Sequence, residues 1–136
     1  MTLEISKEVL RNCAGLGLVA CRLPSMKEPS LRIFEAVRAA APDSPAWIIG
    51  MGMIYANACN DPEAACALMM KHRVSAETGD SVARVYLGLF LIMANRRFEA
   101  ARVARAVVAD GQDPDAVRLA RSLLDNEIGS GCSQEF

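Results

Sequence analysis

The chain has 136 residues, enough for one core of ordinary size, and 52% of them are apolar although only 5% are aromatic. Its 15 Lys and Arg stand against 16 Asp and Glu, interspersed over both halves, so it lacks the electrostatic footprint of a nucleic-acid or anionic-lipid binder. Alanine leads the apolar residues, which favours helix packed on helix over a sandwich or barrel, whose strands want alternating Val, Thr, Tyr and Phe.

Between residues 3 and 22, Leu3, Val9, Leu10, Cys13, Leu16 and Val19 recur at helical spacing and predict an amphipathic helix, weakened by Gly15 and Gly17. Glu4, Lys7 and Glu8 stand where a secretory signal would have a basic segment followed by a continuous apolar one, so none is expected. Residues 23–29, with Pro24 and Pro29, read as a break. Ser30 then reads as the cap of a helix to about residue 41 that buries Leu31, Phe34 and Val37.

Ser44-Pro45, Asp61-Pro62 and Asp113-Pro114 each place a capping side chain before a proline at the first helical position, where the missing N–H costs nothing. Asp80 is placed to cap a helix from Ser81 to about Asn95, and two more are expected over residues 98–110 and 115–126. Asn60, Gly79 and Gly111 stand where helix ends are expected. Residues 129–136 have no periodicity and read as a flexible tail behind a single helical domain over residues 1–128. The longest apolar runs, 46–56 and 85–94, fall short of the roughly 18 residues of a membrane span, so no membrane insertion is expected.

Five cysteines, Cys13, Cys21, Cys59, Cys66 and Cys132, form an odd set with no CxxC pair, and all but Cys132 lie in apolar helical runs. A reduced, cytoplasmic setting is the expectation. His72, between Lys71 and Arg73, is the one histidine, too few nitrogen ligands for a metal site. No Gly-rich phosphate loop, Gly-x-Ser-x-Gly turn or Cys/His pair at catalytic spacing occurs, and Asp113 and Asp115 read as helix-start chemistry. Neither catalysis nor a cofactor is expected. Arg96, Arg97, Arg102 and Arg105 face Asp110, Asp113 and Asp115 in sequence and read as a solvated helix face; a basic nucleic-acid patch is the competing reading of the same residues.

Self-similarity carries the argument further. Gly52 and Gly88 are 36 residues apart, as are Glu63-Ala64-Ala65 and Glu99-Ala100-Ala101. Each Gly falls mid-way along the first helix of a hairpin and each Glu-Ala-Ala early in the second, where small side chains let backbones approach. Gly52, Tyr55 and Ala64, then Gly88, Leu91 and Ala100 with Pro114 near the end, resemble the tetratricopeptide pattern; Phe34, Val37 and Pro42 fit the close of an earlier, degenerate unit. The fold expected is all-α: antiparallel helical hairpins stacked as about three degenerate tetratricopeptide-like repeats with a C-terminal capping helix.

That resemblance implies a concave groove lined by Ala46, Ile49, Met53 and Asn57 from one helix and Val82, Val85, Leu89 and Ile92 from the next. An apolar trough of this kind suits a partner's amphipathic helix. Met51, Met53, Met69, Met70 and Met93 add side chains able to re-pack around a client. Chain size and the run from Val85-Tyr86-Leu87-Gly88-Leu89 to Arg118-Leu119-Ala120-Arg121 resemble the small tetratricopeptide-like proteins of bacterial type III secretion systems. The resemblance implies a cytoplasmic bacterial chaperone that shields the amphipathic helix of a needle-type subunit, with a small helical co-chaperone as a second partner. A general tetratricopeptide adaptor without chaperone role is the alternative.

Overall fold

A computed structural model describes residues 24–128, which form six α-helices and, among the described residues, no strand. The all-α expectation therefore holds. The helices are α1 (Lys27–Ala40), α2 (Ala46–Met53), α3 (Pro62–Lys71), α4 (Ser81–Met93), α5 (Arg97–Asp110) and α6 (Pro114–Ser122). A 3₁₀ turn, Pro24–Met26, leads into α1, and π-helical turns, Ile54–Ala58 and Leu123–Ile128, extend α2 and α6. The helix expected over residues 3–22, with Cys13 and Cys21, and the tail expected over residues 129–136, with Cys132, lie outside the described residues. No described helix is long and apolar enough to cross a membrane.

The chain divides into two compact units, with the boundary between Ala65 and Cys66, inside α3. The first unit centres on the α1–α2 hairpin. Arg38 stacks over the Trp47 ring at 4.4 Å, and further from the connection Phe34 lies on Gly50, so the helices run antiparallel. Trp47 Nε1 donates to the Pro42 carbonyl at 3.1 Å and fixes the connection. The core is built from bulk: Phe34, Trp47, Ile48, Ile49, Met51 and Ile54 are all buried. A β-carbon on Gly50 would overlap the Phe34 ring, so in this unit the closest approach is ring against backbone.

In the second unit, α4 and α5 form a hairpin and α6 packs on both. Met69, Leu87, Phe90 and Leu91 are large side chains fully buried in this unit, whereas the cluster that includes α6 is made of small residues. Val85, Ala104, Val107, Ala116 and Ala120 are buried together, with Val82, Val108, Leu123 and Leu124 around them. Gly88 faces the carbonyl of Ala100 across the hairpin, but a β-carbon there would stand 3.8 Å from that oxygen and 3.6 Å from Leu123 Cδ1, ordinary contact distances. The close packing expected of this glycine does not depend on its lacking a side chain.

Arg84 holds the unit together from inside. It is 3% exposed. Its Nε donates to the Ser75 carbonyl at 3.1 Å, one terminal nitrogen donates to the Ala76 carbonyl, and the other pairs with Asp110. One side chain thereby ties the start of α4 to the end of α5 and to the loop before α4. The loop is built in its own right: the Ser75 hydroxyl accepts from the N–H groups of Glu77 and Thr78, and the Thr78 hydroxyl donates to the Arg73 carbonyl at 2.9 Å. Gly79 closes it at φ +105°.

Local chemistry places most helix starts where the sequence predicts them. Asp61 accepts from Ala64 N at 3.1 Å, Asp80 from Ala83 N at 3.1 Å and Asp113 from Asp115 N at 3.0 Å, while the Ser44 hydroxyl accepts from Ala46 N at 3.2 Å. Two expectations are corrected. Ser30 is not a cap: α1 begins at Lys27, and Pro29 is accommodated because the first N–H groups of a helix have no partner to lose. Ser30 is instead fully buried, and its hydroxyl finds no hydrogen-bond partner among the described residues. The helix begun at Pro62 does not run to Gly79. It stops at Lys71, where Arg73 takes φ +64° and Val74 N donates back to the Met69 carbonyl at 3.0 Å. Asn60 at φ 51°, Asn95 at φ 62° and Gly111 at φ 60° close other helical segments in the same left-handed way.

Candidate functional site

The eight residues expected to line a groove fall four in each unit. In the first, Ile49 is buried in the core, and Ala46, Met53 and Asn57 are half-buried. Asn57 turns back on its own helix, its Nδ2 donating to the Met53 carbonyl at 3.1 Å. It does so within the π turn, whose wider winding departs from the 3.6-residue register on which the expected stripe was laid out. Of the methionines, Met51 and Met69 are core residues, Met53 is half-buried, and Met70 and Met93 are exposed.

The other four follow one face of α4 at steps of three, four and three. The N-terminal half of that face is covered. Val85 is buried with Ala116 and Ala120 of α6, and Val82 packs against the same cluster. Toward the C-terminal end Leu89 and Ile92 are half-buried. Where α6 leaves the face, a cleft of ≈ 250 Å³ opens. Val85, Tyr86 and Leu89 form one wall, and Leu119, Ser122, Leu123 and Asn126 form the other. Leu119 is exposed, and Asn126 Nδ2 donates to the Ser122 hydroxyl at 3.2 Å on the rim.

The sequence reading found Val85 and Leu89 but missed the opposite wall. Leu119, Leu123 and Asn126 lie on the segment read as a cap, and a cap's role of covering the last hairpin hid its role as a wall. The spacing 119, 123, 126 was the available signal.

The basic stretch is paired differently from the expectation. Arg96 pairs with Glu99 and Arg102 with Glu77, while Asp110 is taken by Arg84, Asp113 caps α6 and Asp115 pairs with Arg118. His72 is half-buried just beyond the end of α3. Cys66 is buried and Cys59 half-buried, neither of them in a disulfide. Among the described residues no group of three or more His, Cys, Asp or Glu side chains is placed to share a metal ion.

The α4–α6 cleft is therefore mostly apolar, with hydrogen-bonding groups at one rim. No family model, curated protein or solved structure matched the chain.

Proposed function

We propose that the protein is a small holding chaperone of the type III secretion kind, which keeps an aggregation-prone, needle-type subunit soluble in the bacterial cytoplasm by gripping its amphipathic helix. In this reading the hairpins belong to degenerate tetratricopeptide-like repeats, and no catalytic step is involved. The observation that carries it is the cleft along α4. At ≈ 250 Å³ it is smaller than the roughly 300–1,000 Å³ of small-molecule sites, and its scale is that of a pocket for anchor side chains. Helix-in-groove recognition works through such anchors at spacings of three and four residues, which Leu89 and Leu119 on facing helices would meet. The needle-type client and the small co-chaperone come from the sequence resemblance, and the physical rationale is general: a polymerising subunit exposes apolar helix faces, and covering about 800 Å² per partner suppresses their association.

The test is calorimetric titration of the protein with the C-terminal amphipathic helix of a needle-type subunit. A micromolar complex is expected, and replacing Leu89 and Leu119 with Asp should weaken it at least about tenfold while leaving the helical circular dichroism unchanged. A protein that ignores such helices at about 100 μM, or a double variant that binds as well as the parent, overturns the proposal.

A further inference from the structure

A second apolar feature lies on the opposite face of α4. Leu87 and Leu91 point about half a turn away from Val85 and Leu89, and with Met70, Ala76 and Val103 they line a cavity of ≈ 470 Å³. On its edge stands Phe98, 95% exposed. A phenylalanine left wholly in water is unusual in a chain with so few aromatics, and here it stands beside a hollow large enough to receive such a ring. Met70, also exposed, extends the same apolar surface.

From this juxtaposition we infer that the α4–α5 hairpin forms a two-fold dimer in which Phe98 of each copy fills the cavity of the other. Knob and hollow occupy one patch of one chain. A rotation that seats the first Phe98 therefore seats the second, which is the condition for a closed isologous contact. The rim agrees in charge. Its charged lining residues are Glu99 and Arg102, paired within the chain with Arg96 and Glu77, so a rotated copy meets one acid and one base rather than like charges. A nucleic acid would ask for a basic excess that this rim does not have.

Two aromatic rings burying roughly 150–250 Å² each supply about 300–500 Å², well short of the roughly 1,200 Å² of a stable specific interface. The dimer is accordingly weak and concentration-dependent, with dissociation at about 10 μM. It uses the face of α4 turned away from the proposed client cleft, so the two readings stand or fall separately.

Sedimentation velocity under reducing conditions, from about 1 to about 500 μM, tests it. The expected result is a weight-average mass rising from one toward two protomers, with Phe98→Asp monomeric throughout and Phe98→Leu in between. Phe98→Asp adds an acid to the first turn of α5, where helix chemistry welcomes it, so its circular dichroism should match the parent's. A parent monomeric over the whole range, a Phe98→Asp variant that still dimerises, or association that continues past two copies overturns the inference. Titrating each variant with the client helix keeps the outcomes apart, since Phe98→Asp should leave that affinity within about twofold.

Discussion

Phe34 lies on Gly50 in the α1–α2 hairpin, whereas the corresponding helices of the α4–α5 hairpin meet across Ala100, Ala104 and a Gly88 that has room to spare. The first hairpin is held by bulk pressed into a gap, and its connection is fixed by one indole hydrogen bond. The second buries large side chains too, Leu87, Phe90 and Leu91, but adds a seam of alanines against α6 and a buried guanidinium. Interlocked large side chains tolerate no added volume, while alanine packing leaves its security to polar bonds that must all be made.

Three substitutions would break or sharpen this contrast. The largest effect is expected from Arg84→Met, which keeps the volume of the stem but strips the Ser75 and Ala76 carbonyls and Asp110 of their partner. Urea unfolding should show a loss of about 3 kcal/mol, and hydrogen exchange should show residues 75–78 losing protection. A loss below about 1 kcal/mol would mean that the apolar core holds the second unit unaided. Next comes Gly50→Ala. Helix propensity alone would favour it by about 1 kcal/mol, yet overlap with the buried Phe34 ring should turn the balance to a net loss of about 2 kcal/mol. Combining it with Phe34→Leu should recover part of that loss, and strictly additive effects would contradict the contact. The smallest change, of opposite sign, is expected from Gly88→Ala, since the new methyl group meets its neighbours at 3.6 and 3.8 Å. It should raise stability by about 0.5–1 kcal/mol, and a loss would mean that α4 and α5 approach more tightly than described.

Much of this architecture was legible in the residues, for a local reason. Asp61, Asp80 and Asp113 each satisfy an N–H two or three residues on, so the signal and its cause lie within one turn of chain. Gly111 is equally local, as it adopts the left-handed conformation that its residue type permits most cheaply. What the sequence did not disclose depended on distant partners. Arg84 sits among apolar neighbours much as any surface arginine does, and only the fold brings the Ser75 and Ala76 carbonyls and Asp110 to it. Arg73 gives no hint that it, rather than Gly79, ends the turn after α3, because that choice belongs to the ordered loop behind it. For the cleft, Val85 and Leu89 were readable from helical period, but which part of the face stayed open was decided by where α6 crosses it.

The alanines of the second unit set a limit on how this molecule can change. Ala100, Ala104, Ala116 and Ala120 have no atoms beyond Cβ, so there is nothing to trim, and each enlargement would wedge two backbones apart. Sequence drift in this half is thereby steered outward, onto the lips of the cleft and the ring of charges around Phe98. Single replacements can accumulate there while the scaffold beneath stays as it is.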